Sequence, residues 1–202
     1  MTKPLLLLFV RQPELGKVKT RLAKTMGPEK ALHVYQNLLQ HTHTVVKDLA
    51  VTKWVCYADA IPQESDLWSK SGGFEPKLQP AFEDLGARMA HFFSLGLVEG
   101  YGPIIIIGSD CPGLTPDILQ EAFHALETHD LVLGPAQDGG YYLLGLRFLV
   151  PELFLNKPWS TANVLAETLA DAKRLGLSVA LLPELSDIDE EADLQAWPHL
   201  LH

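Results

Sequence analysis

The sequence predicts an α/β protein built on one doubly wound, mostly parallel sheet. Three observations carry this prediction. Short apolar runs recur along the 202-residue chain. The runs are continuous rather than alternating. Amphipathic segments of helical period separate them. A strand covered on both faces is apolar at every position, and such strands belong to parallel sheets with helices on either side. Alternation of the two element types then gives the doubly wound class.

The clear runs are PLLLLFV (4–10), TKWVCYA (52–58), PIIIIG (103–108), DLVLGPA (130–136), YYLLGL (141–146) and LSVALL (177–182), with FEPKLQ (74–79) a weaker candidate. The four isoleucines of the third run mark a strand buried on both sides. A first helix is expected over 28–49, where Ala31, Leu32, Val34, Tyr35, Leu38 and Leu39 share one face. A second covers 85–99. A third starts at Thr115 with Pro116 in the first helical position, and a fourth spans 161–175 and stops at Gly176. No internal repeat, low-complexity tract or Pro/Gly/Ser linker interrupts the series, so residues 1–202 are expected to form a single domain.

Composition narrows the functional classes. Hydrophobic residues make up 47% and charged residues 20%, as a packed globular core requires. The formal net charge of -9 argues against a nucleic-acid partner, which needs a broad basic face. The apolar run at 5–10 is too short to span a membrane and lacks a small-residue cleavage site after it, so no membrane partner and a cytoplasmic location are expected. Cys56 and Cys111 form no CxxC pair, which excludes a zinc knuckle or disulfide framework. GxGxxG, GxxxxGK[ST], GxSxG and HExxH are all missing, so dinucleotide, Walker-loop, serine-hydrolase and zinc-protease chemistries have no support.

In open α/β sheets ligands sit beyond the carboxyl ends of the strands. Four loops there hold the candidate residues. After the first run comes RQPELGKVKTRLAK, in which Arg11, Lys17, Lys19, Arg21 and Lys24 face one acid, Glu14. With Gly16 and an adjoining helix start, this is the composition of an anion site. The same charges also fit a solvated helix face. After the isoleucine run comes GSDCPGLTP. Thr115 supplies the helix cap, which frees Asp110 for a metal or ligand role beside Ser109. The third loop, GPAQDGG, places Asp138 before Gly139 and Gly140, a pair suited to a tight turn or a close backbone approach to phosphate. The fourth, SDIDEEADL, carries Asp187 and Asp189 after the last run. Glu190, Glu191 and Asp193 read there as helix-start acids.

Taken together, RQPELGKVKTRL, GSDCPGLTP, LGPAQDGGYYLLGL, PWST and LSDIDEEADL resemble the nucleotide-diphospho-sugar transferase superfamily, the glycosyltransferase-A type of fold. The match is closer to a bacterial family of uncharacterised glycosyltransferases, members of which are associated with arsenosugar biosynthesis. The resemblance implies a nucleotide-binding N-terminal half and a Mg²⁺ or Mn²⁺ site. It puts the metal aspartate at Asp110 and a second at Asp189, although Glu190 and Glu191 depart there from the DxDTP ending of related sugar nucleotidyltransferases. The glycosyltransferase DxD is incomplete too, since Pro112 stands where its second Asp would be.

Two transferase chemistries follow. In the first, a nucleotide sugar gives its sugar to a small-molecule acceptor, with metal and cations on the leaving diphosphate and Asp138 accepting the acceptor's proton. In the second, a nucleoside triphosphate joins a phosphorylated or carboxylated small molecule with release of pyrophosphate. Arg11, Lys17, Lys19 and Arg21 then grip the triphosphate. Arg11, Lys19 and Asp138 are the expected catalytic residues in either case. Arg11, Gly16, Lys17, Lys19, Arg21, Ser109, Gly139 and Gly140 are the expected phosphate-binding set. Trp68, Phe154 and Trp159 are candidates for an acceptor pocket, or for the core.

Overall fold

The predicted runs are the seven strands of one sheet in the order β3-β2-β1-β4-β6-β5-β7, seen in a computed structural model that describes residues 2–82 and 84–201. The strands are β1 (Lys3–Val10), β2 (Thr52–Tyr57), β3 (Phe74–Leu78), β4 (Tyr101–Ile107), β5 (Leu131–Pro135), β6 (Tyr141–Leu146) and β7 (Val179–Leu181). β4 lies at the centre beside β1, β1 is parallel to both β2 and β4, and β3 and β7 extend the parallel pairing outward. Only β6 is reversed, running antiparallel to both β4 and β5. Its first residue therefore enters at the rim where the other strands leave.

Continuous apolar sequence is explained by burial on both faces. Successive side chains alternate across a strand. Leu6, Leu8 and Val10 meet α2 (Pro28–Val46) and α5 (Pro116–Ala125), while Leu5 and Leu7 meet Met89, Phe92 and Phe93 of α4 (Leu85–Val98). α6 (Val164–Leu175) covers the same face as α4 and ends at Gly176 in the left-handed conformation. Thr115 caps α5, its hydroxyl accepting from Ile118 N–H at 3.3 Å. Asp84 caps α4 in the same manner. Two short helices lie outside the four expected spans: α1 (Thr20–Met26), which is the helix start expected beside the basic loop, and α3 (Leu67–Ser71), which was not foreseen. Each is too short to display a helical period.

A third, smaller apolar cluster decides where the chain's last segment goes. Ile188, Leu194 and Leu200 pack on Leu22 of α1 and on Ala31, Val34 and Leu38 of α2. Burial of Ile188 draws the acidic segment against the basic stretch. No helix among the described residues is long and apolar enough to cross a membrane.

Candidate active site

One cleft of about 670 Å³ lies over the rim formed by the ends of β1 and β4 and the start of β6. On one side of the sheet its wall is α1 with the loops after β4 and β7. On the other it is the start of α4 with the segment that carries Trp159. The basic stretch and the lone carboxylate beyond the isoleucine strand meet inside it.

Lys19 is the centre of that meeting. Its Nζ stands 2.9 Å from Asp110 Oδ1 and 3.4 Å from Asp189 Oδ1, and it donates to the carbonyl of Ile188. The Lys19 side chain is 5% exposed. Burial opposes its charge, but Asp110, Asp189 and Asp187 together outweigh burial and raise its pKa. Lys19 itself adopts a left-handed backbone at the start of α1, with φ of 46°. Non-glycine residues rarely hold that conformation, and its survival here fits a site where surrounding contacts impose it. Arg21 Nη1 lies 3.1 Å from the other oxygen of Asp189. Lys17 turns outward and pairs with Glu14 at 2.6 Å.

The two acidic loops are tied together by backbone. Ile188 N–H donates to the Asp110 carbonyl at 2.9 Å, and Asp189 N–H donates to Asp193 at 2.9 Å. Asp187 is thereby held inside the cleft. Burial, then Asp110 and Asp138, pushes its carboxyl up to about 7. Tyr35 fixes the other edge: its hydroxyl donates to the Arg11 carbonyl at 3.1 Å and accepts from Arg11 N–H at 2.9 Å. Buried Ser109 lies next to it.

Asp138 begins a tight turn in which its Oδ1 accepts from Gly140 N–H at 2.8 Å. Gly139 has φ of 87°, and a Cβ there would stand 2.1 Å from the Ala162 carbonyl oxygen. Its own carbonyl accepts from Leu165 N–H at 3.0 Å. The turn is thus clamped to the segment that carries Trp159.

The cleft gathers nearly all the residues singled out from sequence: Arg11, Lys17, Lys19 and Arg21, then Ser109 and Asp110, then Asp138, Gly140 and Asp189. Two lie elsewhere. Gly16 has no atom within 4 Å of its would-be Cβ and stays off the wall, and Gly139 packs against Ala162 instead. Of the three aromatics, Trp159 lines the cleft, whereas Trp68 and Phe154 are core. Sequence reasoning missed Tyr35, which reads only as one of the apolar positions on the face of its helix. It also missed Gln79 and Arg88, which stand in the cleft with no motif around them.

Four carboxylates crowd this rim, Asp110, Asp138, Asp187 and Asp189, and burial together with that crowding raises Asp187. An excess of oxygen donors suits a hard dication. No group of three or more His, Cys, Asp or Glu among the described residues is disposed to hold a metal alone. A dication would take one or two of these carboxylates and complete its shell with phosphate oxygens and water, the usual Mg²⁺ arrangement.

Residues 41–161, more than half of the chain, match the model of a family described as uncharacterised proteins conserved in bacteria, DUF2064. The chain belongs to that family. No functionally curated protein matches it. It is similar, at 32% identity and a TM-score of 0.86, to a protein from Desulfovibrio desulfuricans G20 provisionally assigned as a nucleotide-diphospho-sugar transferase, covering 98% of this chain and 88% of that one. It shares its fold with CMP:2-keto-3-deoxy-manno-octonic acid synthetase complexed with CTP, at 14% identity and a TM-score of 0.60 over 99% of this chain and 98% of the other. It also shares it with 4-diphosphocytidyl-2C-methyl-D-erythritol synthase from Anaerococcus prevotii DSM 20548, at 9% identity and a TM-score of 0.62 over 100% and 97%. The α/β fold expected from sequence is therefore that of known transferases.

Proposed function

We propose that this DUF2064 protein is a metal-dependent transferase that uses a nucleotide-sugar donor and a small-molecule acceptor. One observation carries the reading: Lys19 Nζ sits 2.9 Å from Asp110 and 3.4 Å from Asp189, so cations and carboxylates from three loops share one cleft. The charge balance favours a diphosphate over a triphosphate. Lys17, Lys19 and Arg21 already have carboxylate partners, which leaves Arg11 as the member of that set without one among the described residues. The relative from Desulfovibrio desulfuricans supports the same class.

In this reading Arg11, Lys19, Arg21, Ser109 and the Gly140 backbone face the diphosphate. Asp110 and Asp187 hold Mg²⁺ or Mn²⁺, with Asp187 preferred to Asp189 because Asp189 has two cationic partners, Asp110 one and Asp187 none among the described residues. Bound there, the dication would neutralise charge that develops on the leaving diphosphate. Asp138 takes the proton of the acceptor hydroxyl as its oxygen bonds to the sugar carbon. The bond from that carbon to the diphosphate oxygen breaks, and the nucleoside diphosphate leaves with the electron pair. Gly139 shapes the turn and has no phosphate role.

Nucleotidyl transfer is a second reading, favoured by the Ile188–Asp110 bond, which pairs one aspartate loop with another in place of a DxD. One assay separates the two. The protein is incubated with Mg²⁺ or Mn²⁺, with panels of nucleotide sugars and nucleoside triphosphates, and with a metabolite extract as acceptor. Release of nucleoside diphosphate from a nucleotide sugar is expected. Turnover confined to triphosphates, with pyrophosphate release, would overturn the first reading.

A further inference from the structure

The cleft has a second cationic centre, away from Lys19 on the α4 side of the sheet. Arg88 lies in the first turn of α4, and its Nη1 donates to Gln79 Oε1 at 3.1 Å. Gln79 is 6% exposed, and its Nε2 donates to the carbonyl of Cys56 at 2.8 Å. The end of β2 thus fixes the Gln79 amide, and the amide oxygen fixes the guanidinium. No carboxylate among the described residues comes within ion-pair distance of Arg88 or of Arg11, and both arginines line the cleft.

Polar capacity is left unused along the same wall. Arg88 Nε is buried without a hydrogen-bond partner among the described residues. Most buried polar atoms in folded proteins have a partner, so a guanidinium with an unmet donor at the wall of a cavity has capacity left for an anion. Burial, and then the neighbouring Arg11, depress the pKa of Arg88. Asp84 and Asp59 offset part of that effect without reaching ion-pair distance, and an anion bound beside Arg88 would relieve the rest.

We propose that Arg88, oriented by Gln79 and assisted by Arg11, is the binding site for an anionic group, carboxylate or phosphate, of the acceptor. Arginine's planar fork matches both groups, and a prefixed fork loses less freedom on binding than a loose one. Trp159, Tyr141 and Met89 give this half of the cleft an apolar, aromatic wall for the acceptor's body. Only the word acceptor rests on the transferase reading above; the anion site itself stands on the Arg88 geometry.

The test uses the full chain in chloride-free buffer of low ionic strength. Sodium phosphate and sodium acetate are titrated in separate arms, followed by calorimetry and by tryptophan fluorescence. Saturable binding of at least one anion is expected, and the preferred one tells a phosphorylated from a carboxylated acceptor. R88Q should weaken that binding about tenfold, the loss typical of a charge-assisted contact. R88K should fall between R88Q and the parent. Q79E keeps Arg88 but gives it an internal carboxylate, and should abolish binding as well. Circular dichroism and Tm establish that each variant is folded. Equal affinity in the parent, R88Q and Q79E, or no saturation by either anion, would overturn the proposal. Titration with nucleoside diphosphates and Mg²⁺ separates the two claims. If R88Q loses nucleotide as strongly as it loses phosphate, the acceptor assignment fails. If no nucleotide binds but phosphate binding still depends on Arg88, the transferase reading fails and the anion site stands.

Discussion

Lys19 is buried while its partner Asp110 remains half open, the two side chains being 5% and 46% exposed across a 2.9 Å ion pair. The pair is therefore asymmetric. The cation depends on its partners for charge compensation, whereas the carboxylate could turn to solvent or to a ligand.

That asymmetry predicts the outcome of Asp110→Asn. Lys19 keeps Asp189 and the Ile188 carbonyl, so the variant should fold, with Tm within a few degrees of the parent. Metal-dependent turnover should fall about a hundredfold or more, as expected when a group that acts on developing charge is removed. Initial rates over a range of Mg²⁺ and Mn²⁺ concentrations, together with a melting curve, check both parts.

Lys19→Met should cost some stability as well as function. Breaking a fully buried ion pair costs about 3–5 kcal/mol, but Asp110 and Asp189 are 46% and 49% exposed and can be solvated. A smaller loss, about 1 kcal/mol, is expected from chemical denaturation. Nucleotide affinity, measured by calorimetry, should drop at least about tenfold, the loss typical of a charge-assisted contact.

Asp187 gives a pH prediction. Its folded pKa is raised to about 7, so the folded state prefers the protonated carboxyl. The stability tied to that proton is present in acid and is lost as pH climbs from about 4 to about 7. Asp187→Asn imitates the protonated form. In chelator-treated protein it should match the parent near pH 4 and exceed it above pH 7 by up to about 4 kcal/mol. Denaturation midpoints at the two pH values check this. Equal midpoints at high pH would show that neither burial nor its neighbours raise Asp187.

Gly86 predicts the role of Trp159. A Cβ on Gly86 would stand 2.5 Å from Trp159 Cζ2 and 2.6 Å from the Phe154 carbonyl oxygen. The carbonyl is backbone and yields little, so Gly86→Ala must displace the indole. Overpacking of this kind costs about 1–3 kcal/mol. Tryptophan emission should shift, and the KM for acceptor should rise while nucleotide affinity is retained.

The strands were legible because continuous apolar runs such as PIIIIG have few alternatives to a doubly covered strand. The cleft's basic and acidic poles were legible because both lie in loops directly after such runs. Other features were not. The turn at Asp138–Gly140 reads as a hairpin that sends β6 back along β5, but nothing in it shows that β6 inserts between β5 and β4. Asp187 and Asp189 could not be ranked by spacing; burial of Ile188 between them sets their positions. Gln79 and Arg88 are single polar residues near element ends, and only folding brings the end of β3 to the first turn of α4.

The Trp159 segment is anchored at both ends, by buried Lys157 on Asp171 and by Ala162 against Gly139. Between the anchors lie a handful of exposed or half-exposed positions. Exchanging or lengthening that stretch would reshape the far side of the cavity without touching Lys19 or the aspartates, so descendants of this scaffold could diversify what they modify while keeping one way of holding the donor.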